Sequence, residues 1–384
     1  MCEMISPLKF VVFLLVIHNS VENNDFSAGS LDFTVRFFKN FYNQSSNSIV
    51  SPISVRLALA TIYQAAGSKL APEIQQAIDL QQQSKEETAK NARNFIERIN
   101  NDHLHVLFKA FKINDQLEPN FEKAIRAALS TDVETVDFQD TTLLSETINE
   151  WVSNATNNII RDFVEEQSLE PNTEFMLINA VALKAEWASK FPADATRQVA
   201  FHYVNGDREV DMMRQVMTVP YRVTEDFHAA ELAYSQESDL SMWIILPRGR
   251  GSLRDLVRML SPEMIAGIRQ GSKTILLTVE LPRFSIRNEF DVRNVLEKMG
   301  HSNLFELADL EVFRGRRSEI NDIFQSAVIV VDEDGTEASA ASRVNVKWRS
   351  GPRPFFAHKP FIFFIQQRST NTILFIGQYS NHED

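Results

Sequence analysis

Two unbroken apolar runs, Ala327-Val-Ile-Val-Val331 and Pro360-Phe-Ile-Phe-Phe-Ile365, are separated by a stretch that reads in two ways at once. By composition, Asp332 to Pro354 is a long surface loop rich in Gly, Ser, Pro and charge, and loops of that length inside a domain are usually functional or disordered. By periodicity it is a strand. From Thr336 onward the small or apolar Thr336, Ala338, Ala340, Ser342, Val344 and Val346 alternate with the polar Glu337, Ser339, Arg343, Asn345 and Lys347, and Ala341 is the one break. A period of two marks a strand with one buried and one solvated face. Such a segment is either an ordinary edge strand or a loop that is exposed in one state and inserted into a sheet in another. Small inward side chains make insertion sterically easy, and Gly335 supplies a permissive backbone where the chain must turn.

The remainder of the chain changes character once. Apolar residues recur at helical spacing in Leu31–Tyr42, Val55–Ala66, Pro72–Leu80, Lys85–Asn100, Glu118–Leu129 and Leu143–Gln167. From residue 173 the pattern turns to strands, with apolar runs at Phe175–Leu183, Leu240–Leu246, Ile275–Leu281, Ala327–Val331 and Ile373–Ile376. Several are apolar throughout, as strands covered on both faces are. Helices first and strands later, without βαβ alternation, predict an α+β domain with more than one sheet. No linker or repeat divides residues 26–384, which are read as one domain.

The first 25 residues stand apart. Lys9 precedes Phe10-Val-Val-Phe-Leu-Leu-Val-Ile17, too short an apolar run to span a bilayer, and a polar stretch follows. Residues 1–20, with a boundary between 18 and 25, read as a secretory signal; a buried N-terminal strand is the competing reading. The single cysteine, Cys2, would leave with that signal, so the mature chain can form no internal disulfide. In a secreted chain Asn43-Gln-Ser45 and Asn154-Ala-Thr156 are glycosylation acceptors. The formal charge of -12 argues against a general nucleic-acid or anionic-membrane surface, leaving room only for a local basic patch.

Gly335-Thr-Glu-Ala-Ser-Ala-Ala-Ser342 resembles the proximal hinge of inhibitory serpins, and the resemblance continues over nearly the whole chain after residue 28. Asn47-Ser-Ile-Val-Ser-Pro-Ile-Ser54 is similar to the segment opening the family's second helix. Asn179-Ala-Val-Ala-Leu-Lys-Ala-Glu-Trp187 is similar to its third central-sheet strand, and Leu281-Pro-Arg-Phe284, Leu296-Glu-Lys-Met-Gly300 and Lys359-Pro-Phe361 follow in order. The resemblance implies three sheets, eight or nine helices and an exposed reactive loop at about 333–354. It also implies a suicide-substrate mechanism: a protease cleaves the loop, stays attached as an acyl-enzyme, and is carried across the molecule as the loop enters the large sheet.

Family spacing puts the acyl-side residue at the seventeenth position counted from the hinge Glu333, which is Arg349, so the resemblance implies cleavage between Arg349 and Ser350. Arg suits a trypsin-like pocket with a carboxylate at its base; Lys347, Arg343 and Arg353 are rival baits. The family also pairs Glu333 with a basic residue, here Arg283. It implies a sheet-opening region of Ser51, Asn179, Trp187 and the residue before the fifth central strand, usually His but here Gln325 followed by Ser326. Gln both donates and accepts, so a polar link toward Asn179 and Ser51 is expected.

Three other classes compete. A non-inhibitory serpin acting as carrier, chaperone or storage protein commonly has bulky, charged or proline hinge residues, and Thr336, Ala338 and Ala340 are none of these. A hydrolase finds no Gly-x-Ser-x-Gly elbow or His-Glu-x-x-His motif here, and His103 and His105 alternate with Leu in a strand pattern, so neither an enzyme nor a metal or other cofactor is expected. Glycosaminoglycan binding is not expected either, since Lys85, Lys90, Arg93 and Arg98 are interleaved with Glu86, Glu87 and Glu97. The expected partner is a trypsin-like serine protease, met by a monomer.

Overall fold

A computed structural model describes residues 26–381 apart from 28, 45, 81–82, 101–103, 130–132, 157, 184, 204, 236–237, 318–319, 321–322 and 335–350. The proposed signal, the hinge residues Gly335 to Ala341 and the Arg349–Ser350 bond therefore lie outside the described residues.

The elements run α1 (Ser30–Phe41), β1 (Ser48–Val50), α2 (Pro52–Ala65), α3 (Leu70–Ala77), α4 (Lys85–Ile99), β2 (Leu104–Lys112), α5 (Pro119–Leu129), β3 (Val133–Thr135) and α6 (Thr141–Ala155). Strands then dominate: β4 (Phe175–Leu183), β5 (Arg197–Tyr203), β6 (Gly206–Val223), β7 (Phe227–Ala233) and β8 (Leu240–Pro247). Next come α7 (Leu253–Met259), α8 (Pro262–Gln270), β9 (Lys273–Pro282), β10 (Phe284–Asp291), α9 (Val292–Lys298), α10 (Asn303–Glu306) and β11 (Phe324–Val331). The chain ends on β12 (Arg353–Phe356), β13 (Phe361–Gln367) and β14 (Thr372–Tyr379).

The five-stranded sheet runs β10-β11-β4-β2-β3. Strands β4 and β11 at its centre are largely apolar because most of both faces is covered, and side chains alternate between two cores. Ile178, Ala180 and Ala182 of β4 and Val328 of β11 pack with Leu144, Ile148 and Val152 of α6. Val181, Leu183, Ala327, Ile329 and Val331 face the larger core on the other side. The larger strand network runs β1-β14-β13-β8-β7-β6-β9-β12, with β5 on β6. Its two halves share β6, whose Tyr221 pairs with Lys273 of β9 and with Ala230 of β7. Counting the halves separately gives the three sheets expected.

Helix α2 was expected to show one apolar stripe and instead buries every residue. Its Arg56 is tolerated there because Nε donates to the Ile78 carbonyl at 2.9 Å and an Nη to the Phe26 carbonyl at 2.8 Å. Burial lowers the Arg56 pKa to about 10, which still leaves it protonated at neutral pH. Helix α6 is shorter than its periodicity suggested. Thr156 Oγ1 donates to the Val152 carbonyl at 2.7 Å and accepts from the Ile160 N–H at 3.1 Å, and Asn158 turns to φ 62°, so the helix stops at Ala155.

Candidate functional site

Strands β4 and β11 lie side by side and parallel, with Gln325 opposite Asn179 and Ile329 opposite Leu183. Five residue pairs join them, against eight antiparallel pairs between β10 and β11 and nine between β4 and β2. Parallel ladders are slightly less stable per residue, so this seam is weaker than the ladders flanking it. Two buried polar atoms beside it, Asn179 Oδ1 and Ser326 Oγ, have no hydrogen-bond partner. Below Asn179 the strands part around a cavity of about 450 Å³ whose walls include Ile148, Phe163, Ile178, Phe290, Gln325 and Ser326.

At the lower end the seam is tied to α2. Gln325 Oε1 accepts from the Ser51 N–H and Gln325 Nε2 donates to the Ser51 carbonyl, each at 2.9 Å, with both residues buried. The expected link from Gln325 to Ser51 is thus present, as a pair of hydrogen bonds to the backbone rather than one to the hydroxyl. No link to Asn179 accompanies it: Asn179 Nδ2 donates across to the Leu107 carbonyl at 3.2 Å, and Ser51 Oγ meets Ser54 Oγ at 3.0 Å. The Gln325 amide spends both of its hydrogen bonds on the backbone of Ser51, and none runs to Asn179.

At the upper end β11 runs out through Asp332–Asp334 across the top of β4. The Trp187 indole N–H donates to the Asp332 carbonyl at 2.9 Å, the Trp187 backbone N–H to Asp334 at 3.3 Å and the Phe191 N–H to Glu333 at 3.0 Å. Trp187 is held in turn by a stacked Tyr234, with centroids 4.4 Å apart, and by the edge of Phe191. Burial pushes the Tyr234 phenol up, so this support stays neutral. Glu333 Oε1 accepts from Thr196 Oγ1 at 2.7 Å, and Glu333 Oε2 stands 3.8 Å from Arg283. The Glu333–Arg283 pair is therefore where the resemblance put it, at the outer limit of an ion pair and with the arginine more than half exposed. Lys190, 3.9 Å from Asp334, and Thr196 also hold this exit. Neither carried a signal in the sequence, since each acts through a chain segment far from it in number.

Of the other expected positions, Asn43 and Asn154 are exposed. Among the described residues no cluster of His, Cys, Asp and Glu could hold a metal ion, and no helix is long and apolar enough to cross a membrane.

A chain that leaves β11 at its upper end and lies above a weak parallel seam defines a class of protein in which a loop has a sheet to enter. The family model for Serpin (serine protease inhibitor) matches residues 28–382, and this chain belongs to that family. An uncharacterized serpin-like protein of Thermococcus kodakarensis is 31% identical over 92% of this chain and 84% of its own. Human Serpin B3 is 30% identical over 93% of this chain and 100% of its own. Among solved structures, SRPN18 of Anopheles gambiae superposes with a TM-score of 0.84 at 26% identity, covering 94% of this chain and 98% of that one. Native Tengpin, a thermophilic serpin, gives 0.81 at 25% identity, covering 93% and 94%. Serpins are mostly inhibitors that bind serine proteases and are generally not enzymes, although some members do not inhibit.

Proposed function

We propose that this serpin is a secreted, monomeric suicide-substrate inhibitor of trypsin-like serine proteases, cleaved between Arg349 and Ser350. The observation that carries the reading is the β4–β11 seam, with Asp332–Asp334 latched above it by Trp187 and Phe191. A loop returning from that latch would run antiparallel to both strands and replace one five-pair parallel contact with two antiparallel ladders. Its inward residues would be Thr336, Ala338 and Ala340, all small enough for the gap. At about 3.3 Å per residue, the fourteen steps from Gly335 to Arg349 cover about 46 Å, enough to carry an acyl-linked protease from the upper end of the seam past Gln325 and the cavity below it. Secretion is supported by the sequence of residues 1–20, and use of the sequons at Asn43 and Asn154 by the exposure of both side chains.

The test is incubation with trypsin. The wild type is expected to give a complex stable to denaturant and a released C-terminal peptide beginning at Ser350, and Arg349→Ala to lose the inhibition. A peptide with another first residue removes the assignment of the bond. Turnover without a stable complex removes the mechanism.

A further inference from the structure

An acidic chain leaves one region of its surface positive. Beside β12, a pocket of about 510 Å³ is lined by Tyr221, Arg222, Lys273, Ile275, Gly351 and Arg353, among others. Arg222 donates to the Gly271 carbonyl at 3.0 Å, which fixes its guanidinium at the wall, while Lys273 and Arg353 are exposed. Arg248 and Lys359 stand behind them, close enough to bear on Tyr221 and His228, whose side chains meet at 3.3 Å and pack on Phe355. His228, held at a pKa of about 4 by burial and these cations, adds no charge of its own at neutral pH.

Among the described residues none of Arg222, Arg248, Lys273, Arg353 and Lys359 forms an ion pair. The neighbouring acids, Glu225 and Asp226 on the β6–β7 turn, are not paired with them, and the Glu280 carboxylate is buried and engaged by Arg197, Arg214 and His358. Cations elsewhere in the chain are commonly matched, as Arg36 is by Asp32 and Asp79, and Arg316 by Asp115 and Glu174. Five unmatched cations on a chain of net charge -12 form a local positive field rather than a neutralised face.

We propose that the pocket bounded by Arg222, Lys273 and Arg353 is a second docking site for the target protease, receiving an acidic surface loop from beside the protease's active-site cleft. The inference rests on the reading that Arg349–Ser350 is the cleaved bond. Gly351, which lines the pocket, directly follows Ser350, so a protease holding Arg349 in its specificity pocket necessarily overhangs this wall. A specific interface buries on the order of 800 Å² per partner, more than a few extended residues supply, and the pocket is among the nearest described surface onto which contact can spread. Its form also suits a peptide loop. Tyr221, Ile275 and Leu276 give apolar wall beneath a cationic rim, and the pocket is concave.

The test compares the wild type with Lys273→Glu, Arg353→Glu and the double variant against a panel of arginine-cleaving serine proteases, at about 0.05 and about 0.3 M NaCl. For proteases with carboxylates beside the cleft, the double variant is expected to associate about tenfold more slowly at low salt, with a flattened salt dependence. Lys273→Glu, remote from the scissile bond in sequence, should show part of the loss. Stoichiometry and the Ser350 peptide should be unchanged, so the bond and the trapping step are read separately from docking. Equal rates and salt slopes for wild type and double variant across the panel overturn the inference while leaving the inhibitory reading intact. So does a difference that emerges only on adding heparin, which would assign the patch to a polysaccharide. If the wild type forms no complex with any protease and is not cut at Ser350, the reading and the inference fall together.

Discussion

Gln325 engages both backbone groups of Ser51, accepting from its N–H and donating to its carbonyl. Both backbone groups are buried, but the Ser51 carbonyl also accepts from the Ser54 and Val55 N–H groups, so Gln325→Ala leaves one buried donor, the Ser51 N–H, without a partner and should destabilise the fold by about 1–3 kcal/mol. A melting temperature within about a degree of the wild type would mean that water replaces the amide. The residue type foretold a polar link, but which partner it would take depends on where α2 begins in space, and Ser51 is 274 positions away. His228 offers a second test. Its pKa is lowered to about 4 in the fold, by burial first and then by Lys359 and Arg248, against an ordinary value of 6.5. The unfolded chain therefore binds the extra proton between pH 6.5 and about 4, so this contribution to stability is full above pH 6.5 and is lost as pH falls through that window. His228→Phe should lose less melting temperature than the wild type between pH 7 and pH 4.5; parallel curves would show that His228 ionises freely in the fold.

Elements were legible where local pattern decides them and illegible where a distant group does. Strand β4 matches its sequence reading at both ends because its apolar run is covered on both faces. Helix α3 begins at Leu70, two residues before the expected Pro72, because the Asp309 carboxylate accepts from the Lys69 and Leu70 N–H groups at 2.7 and 3.2 Å. No window around residue 70 contains that cap. Strand β6 escaped entirely, since much of it is polar and faces solvent. The latch over β4 divides the same way: Trp187 was foreseen from its motif and Thr196 was not. The two kinds of contact in it should differ in strength. Trp187→Ala removes a buried ring, its Tyr234 stack and the bond to Asp332, and should cost about 3–5 kcal/mol. Arg283→Met breaks a pair at 3.8 Å with a half-exposed arginine and should cost less than about 1 kcal/mol. Equal losses in melting temperature would show that the rim pair, rather than the buried indole, holds the exit.

At the scale of the molecule the question is why a loop would leave solvent for the sheet. Insertion orders residues, at about 1–2 kcal/mol each in backbone entropy, and breaks the five-pair β4–β11 seam. Against this, a central strand bonds on both edges, the orphaned Asn179 and Ser326 side chains gain new neighbours, and the small inward residues leave water. While the loop is intact, its far end is fixed to β12, which pairs with β9 through Arg353 and Leu277; cleavage releases that tether. If insertion then proceeds unaided it must be favourable by several kcal/mol, and at about 2–4 °C per kcal/mol the cut protein should melt about 10 °C or more above the intact one. Thr336 follows Gly335 and enters first, so Thr336→Arg would bury a charge with no evident partner and stall the remainder. Cleavage at Arg349 should hardly change, being thirteen residues away. The variant should therefore be cut by trypsin at the same bond, release the protease active, and show no rise in melting temperature once cut. A stable one-to-one complex formed by Thr336→Arg would show that this serpin holds its protease by some means other than entry of the loop between β4 and β11.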